Sequence, residues 1–250
     1  MSSPGYASWP LLVLAPFIGS FLGVLIRRVP EGRPIVAARS ACEWCGAVLT
    51  ARDLVPLISW LLLRGRCRRC GVPIGWFYPG IELAAFAVAA VAVAVDGVPQ
   101  AWVDCLLGWP LLALAWIDLR YWLLPDVLTL PLLLTGLIVA AALNPEDLVD
   151  RAAAAILGYI ALRLVSVLYR RLRHREGLGE GDAKLLGAAG AWLGVAALPQ
   201  VVVLSALAAL SAAGALTLAG VRLRAYSALP FGPFLAAAIW TLWLFRAVQF

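Results

Sequence analysis

Charge is scarce in this chain. Only 14% of its 250 residues are Asp, Glu, Lys or Arg, against 63% hydrophobic, and mean hydropathy is +0.92. Soluble domains are about half apolar and a quarter charged, so the composition excludes an ordinary soluble fold. The first ten residues, MSSPGYASWP, contain no basic residue. They lack the positive n-region of a cleavable signal peptide, and the expectation is an uncleaved first helix. No convincing internal repeat divides the chain into the matched halves of a transporter. The glycine-rich stretch at 177–181 lacks the strand–helix context of a nucleotide-binding fold.

What is present is a series of apolar runs, each near the roughly 20 residues that cross a bilayer. We read eight transmembrane helices in an all-α membrane protein: Trp9–Ile26, Gly80–Val95, Ala101–Ile117, Leu124–Leu143, Ala152–Leu168, Ala183–Leu198, Val201–Gly220 and Leu229–Val248. The net charge is +6, which raises nucleic acid as a partner. The basic residues instead sit beside apolar runs, where they set orientation and meet anionic lipid. With both termini outside, the cytoplasmic segments are 27–79, 118–123, 169–182 and 221–228. They hold sixteen of the twenty Lys and Arg, as the positive-inside rule requires. Three domains follow: a first helix at 1–26, a cytoplasmic loop at 27–79 and a seven-helix core at 80–250.

That topology puts two distant aspartates at one membrane depth. Asp118 closes the third run, and Asp182 opens the sixth, inside GLGEGDAKLLG. Asp182 is read either as a helix N-cap or as a catalytic group, and Asp118 as a partner of Arg120 or as a catalytic group. Asp126, after Pro125, reads as a helix-start residue. Two carboxyls sharing a site cannot easily both ionise. One can then act as base toward water and the other as acid toward a departing amine. Gly179 and Gly181 let backbone and substrate approach closely, and Lys184 follows in the same block. A proton-relay transporter would instead place carboxylates near the membrane midplane. A zinc-organised scaffold without catalysis would leave the aspartates replaceable.

Cys42, Cys45, Cys67 and Cys70 form two C-x-x-C pairs, each followed by a glycine, Gly46 and Gly71. In a cytoplasmic loop disulfides are disfavoured, and four thiolates suit a closed tetrahedral zinc site. A redox dithiol or unmetallated thiols are the alternatives. Cys105 reads as a packing residue. Glu82 is expected at the start of the second helix, either as a carboxylate favoured by the helix dipole or as a ligand for a methyl donor or substrate amine.

Three blocks together resemble the type IV prepilin peptidases, of the GxGD aspartic protease class. They are GSFLGVLIRRVP, the two-C-x-x-C region from Ser40 through ELAAF, and the pair IDLRYWLLPD with GLGEGDAKLLGAAGAWLG. The resemblance covers most of residues 17–194. It implies an inner-membrane enzyme that cuts a short basic leader, after a glycine, from type IV prepilins or pseudopilins at the cytoplasmic face. It places the catalytic aspartates at Asp118 and Asp182. Members with the cysteine loop often also methylate the new N-terminus with S-adenosylmethionine, which the resemblance extends to this chain. Two positions depart from the family: Gly23 stands where asparagine is frequent, and Glu43 and Trp44 fill the first C-x-x-C where proline is usual.

Overall fold

The computed structural model describes residues 8–35, 39–173, 179–221 and 229–245. Arg175, Arg222 and Arg224, to which the topology appeals, lie outside them, as do Gly177, Arg246 and residues 1–7. The described chain is nearly all helical. It comprises α1 (Trp9–Arg28), α2 (Ile58–Leu62), α3 (Phe77–Asp96), α4 (Gln100–Tyr121), α5 (Asp126–Leu143), α6 (Leu148–Arg173), α7 (Glu180–Leu193), α8 (Leu198–Leu218) and α9 (Gly232–Phe245). Six of these, α1, α3, α4, α5, α6 and α8, are long and apolar enough to cross a membrane, and α9 is a shorter apolar helix. Large side chains such as Ile138, Ile156, Leu164, Val203, Leu207 and Leu210 point outward. Such a surface is stable against lipid, where helices satisfy their own backbone groups. The chain is a multi-pass membrane protein.

The chain divides into two compact units, Met1–Ala113 and Leu114–Phe250. In the first, α1 packs along α3. Gly19 makes the approach possible, since a Cβ there would lie 2.6 Å from Cα of Glu82. Gly23 faces the Tyr78 ring, which a Cβ would meet at 3.2 Å, so a small residue rather than asparagine fits this chain's packing. Trp109 of α4 donates its indole N–H to the Ala85 carbonyl at 3.1 Å. Helix α3 starts at Phe77 rather than Gly80, so Glu82 lies beyond the first turn and is no helix-start carboxylate.

In the second unit α7 is the buried element, packed by α5, α6 and α9. Its small residues permit this. At Gly190 a Cβ would come within 2.4 Å of the Ala154 carbonyl. Trp192, fully buried, anchors the far end through an N–H bond to the Leu132 carbonyl at 2.8 Å and an edge-on contact with Trp243. The run read as Ala183–Leu198 is shorter at this end. It stops at Gly194, whose φ of +84° terminates the helix, and Asp150 accepts the Val195 N–H just beyond at 3.1 Å. The last run begins three residues later than read, because Pro233 takes a first-turn position where its missing N–H costs nothing. Helix α6 is longer than read at both ends, and α2 was not foreseen.

Candidate active site and cysteine loop

Two helix ends supply the carboxylates of the second unit. Asp118, near the end of α4, is buried, with 7% of its surface exposed. Its Oδ2 accepts the backbone N–H of Gly232, at the start of α9, at 2.9 Å. Asp182 is equally buried. It is not the N-cap of α7. That position is Gly179, and Asp182, three residues on, reaches back to accept the Gly179 N–H at 3.2 Å. This still satisfies one of the donors that a helix start leaves open. Asp118 stands close enough for its charge to act on Asp182.

Neighbouring charges are otherwise engaged. Lys184 binds Asp126 of α5 at 2.7 Å and Glu180 at 3.7 Å, while Arg163 meets Glu180 at 3.5 Å. Asp126 is the first residue of α5, as its sequence context suggested. Among the described residues no lysine or arginine pairs with Asp118 or Asp182. Instead Arg120 lies over the Tyr121 ring. Gly181 packs on Leu124, whose Cβ would be 2.6 Å from an added Cβ. Sequence reading passed over Gly232. Its signal was the Gly-Pro pair in Leu229–Pro233, a break inside an apolar run.

In the first unit the four cysteine sulfurs lie within 4.8 Å of one another, with Cys42 and Cys70 Sγ 3.9 Å apart. Each pair sits on the same backbone knuckle. The Cys42 N–H bonds to the Ala47 carbonyl and the Gly46 N–H to Cys42. The Cys67 N–H likewise bonds to Val72 and the Gly71 N–H to Cys67. Isolated bridges, Ala41 with Val48 and Arg66 with Pro73, close the two turns. Gly46 and Gly71 have φ of +66° and +70°, the left-handed conformation glycine adopts without penalty. Amide donors from Cys70 and Arg69 bring the Cys67 thiol down to about 6, while burial and the neighbouring sulfurs push Cys70 up to about 11, as thiols packed this closely split their proton affinities. Four sulfurs at this separation fit a tetrahedral zinc ion.

The loop is braced from both sides. Asp53 accepts Arg68 and the Thr50 hydroxyl, each at 2.7 Å, and the Thr50 amide at 3.0 Å. These bonds hold its carboxyl down at about 2. Glu43, inside the first C-x-x-C, pairs with Arg27 of α1. The Arg27 guanidinium also lies over the Phe77 and Tyr78 rings. Glu82 is buried, with 5% exposed. It accepts the Leu57 N–H at 2.8 Å. Leu57 itself has φ of +59°, an uncommon conformation for a branched residue, and the Glu82 bond helps to hold it.

Residues 13–95 match the family model described as the bacterial peptidase A24 N-terminal domain, and residues 105–214 match that of the type IV leader peptidase family. The chain is 42% identical over 252 residues to a prepilin leader peptidase/N-methyltransferase of Burkholderia pseudomallei, covering 90% of this chain and 81% of the relative. Proteins of the same name from Aeromonas hydrophila and Pseudomonas aeruginosa are 40% and 36% identical. They cover 89% and 92% of this chain, and 85% and 87% of those relatives. No solved structure matches.

Proposed function

This chain belongs to the type IV leader peptidase family, and we propose that it removes the basic leader from type IV prepilins or pseudopilins and then methylates the new N-terminus. It sits in the inner membrane with both termini outside, residues 27–79 forming a cytoplasmic loop and 80–250 the peptidase core. A basic leader stays inside by the same charge rule that orients the helices, so its scissile bond meets the cytoplasmic ends of α4 and α7.

Asp118 and Asp182 are the acid–base pair of this mechanism. Two charges in one buried site repel, so one carboxyl keeps a proton while the other is ionised. The ionised carboxylate takes a proton from water as the water oxygen attacks the scissile carbonyl carbon. The protonated carboxyl gives its proton to the departing amine as the C–N bond breaks. Gly232 and Gly179 hold the two carboxylates by backbone N–H bonds, and Gly181 and Lys184 fix the start of α7 against the Leu124–Asp126 turn. Cys42, Cys45, Cys67 and Cys70 would hold a structural zinc ion that fixes the loop fold. S-adenosylmethionine would supply a methyl group: the amine nitrogen bonds to the methyl carbon, the carbon–sulfur bond breaks to leave a thioether, and the amine gives up a proton to water.

The observation that supports this reading most is the burial of Asp118 and Asp182 together without a cationic partner among the described residues. Asp118→Asn and Asp182→Asn are each expected to abolish cleavage of a purified prepilin by protein that still inserts and folds. Cleavage persisting in either variant contradicts the assignment.

A further inference from the structure

Helix α2 is only five residues long, Ile58–Leu62, and none of the five is buried. Ile58, Leu61 and Leu62 stand at i, i+3 and i+4, which puts them on one face, and they are 58%, 71% and 78% exposed. Trp76, which packs on Trp60 of the same helix, is 74% exposed. An apolar face of this kind marks a surface that meets a partner or a membrane.

Two contacts fix the height of α2 against the spanning helix α3. The Leu57 N–H, at the start of α2, donates to Glu82 at 2.8 Å, and Glu82 is the sixth residue of α3. Trp60, the third residue of α2, has its ring centroid 4.5 Å from that of Trp76, the residue before α3. The 20 residues of α3 extend about 30 Å, the thickness of the hydrocarbon core. Five residues of rise put Glu82 roughly 8 Å in from the end of that span. Helix α2 is therefore level with the first turns of α3, at the border of the membrane and not out in the water. An interfacial helix buries its apolar face roughly 5–10 Å into the headgroup boundary, and tryptophan is enriched at that border. Arg52, Arg64 and Arg66, on either side of α2, are exposed and carry the charge that anionic headgroups attract.

We infer that the apolar face of α2, with Trp76, inserts into the headgroup region of the leaflet on the loop's side of the bilayer, where Arg52, Arg64 and Arg66 meet the phosphates of anionic lipids. The cysteine loop is then a domain seated on the same membrane that the chain spans. Arg66, four residues after α2, bridges to Pro73 and opens the second knuckle, so seating α2 holds the knuckles at the leaflet surface. The inference rests on the spanning helices and not on the peptidase or methyl-transfer reading, so either can fail alone.

The test uses the full-length protein in nanodiscs of phosphatidylethanolamine and phosphatidylglycerol. Part of the phosphatidylglycerol carries a photoreactive diazirine near the carbonyl end of one acyl chain, and labelled positions are mapped by peptide mass spectrometry. Leu83 of α3, 53% exposed, is the internal standard. Labelling is expected within Ile58–Leu62 as well as at Leu83. Replacing Leu61→Glu and Leu62→Glu together is expected to lower labelling of α2 roughly fivefold or more against that standard, since interfacial binding scales with the apolar area buried. Both side chains are exposed, so the unfolding midpoint in detergent should hold; if it falls, the label map of the unaltered protein decides. Discs in which phosphatidylcholine carries the diazirine and no anionic lipid is present are expected to label α2 about half as much or less. Equal labelling there overturns the part given to the arginines. Leu83 labelled with Ile58–Leu62 unlabelled overturns the inference, whether water or a second copy of the chain covers the face. Labelling of α2 that is lost when a prepilin is added assigns the face to the substrate and also overturns it.

Discussion

The Gly232 backbone N–H donates to Asp118 Oδ2 at 2.9 Å, and a Cβ on Gly232 would stand 2.7 Å from that same oxygen. The carboxylate is thus held by an amide that only a glycine can present at this distance. Gly232→Ala is expected to push Asp118 out of place while leaving α9 able to form. Misplacing a catalytic group by about 1 Å can cost on the order of 10²-fold in rate. The expected signature is a fall in kcat of that order with KM little changed, measured on a prepilin. An unchanged kcat would show that Asp118 is not positioned by this contact.

Gly179 and Gly181 stand in the same motif but are constrained differently. At Gly179 an added Cβ would lie nearest the Asp182 carboxylate among the described residues, at 3.2 Å, and its φ of −67° suits any residue. At Gly181 a Cβ would overlap Leu124 Cβ at 2.6 Å. Overpacking of this kind costs roughly 1–3 kcal/mol. Gly181→Ala is therefore expected to lower both the unfolding midpoint and cleavage, and Gly179→Ala to be milder on both. A reversed order would contradict the packing argument.

One zinc ion per chain is expected by elemental analysis of the purified protein. Cys67→Ser and Cys70→Ser should each lose it, and methylation should fall further than cleavage, because the cysteines belong to the first unit whereas Asp118 and Asp182 belong to the second. Equal loss of both activities would make the loop a requirement for folding of the whole chain.

The loop brace should not respond to pH in the working range. The carboxyl of Asp53 is lowered from 3.8 to about 2 by hydrogen bonds from Thr50 and Arg68. The stability it adds is fully present above its unfolded value and is lost as pH falls through about 2. Asp53→Asn is expected to loosen zinc retention by a similar factor throughout roughly pH 5–8. An effect that appears only toward the acid end of that range would contradict the assignment of the shift to these bonds.

Hydropathy located the helices because lipid imposes a long apolar run. Ends were less legible. Gly194, Pro233 and the charged extensions of α6 move the boundaries by local turn chemistry that an apolar run does not record. The cysteine knuckles were nearly complete in the sequence, since the Gly46 and Gly71 positions are dictated by the turn. Asp118 and Asp182 were visible as carboxylates at the ends of two apolar runs, but their burial depends on α7 packing among α5, α6 and α9. Gly232 was not visible, because its role is a backbone N–H aimed at a residue 114 positions away. Glu82 was read at a helix start and lies beyond it, since α3 begins at Phe77.

The most direct measurement is the intact mass of a prepilin after incubation with the purified protein and S-adenosylmethionine. Loss of the leader plus gain of one methyl group is expected, with both changes absent when Asp118 and Asp182 are replaced by Asn. An unchanged mass with folded enzyme, or leader loss that survives the double replacement, would contradict an aspartate pair as the centre of this protein's chemistry.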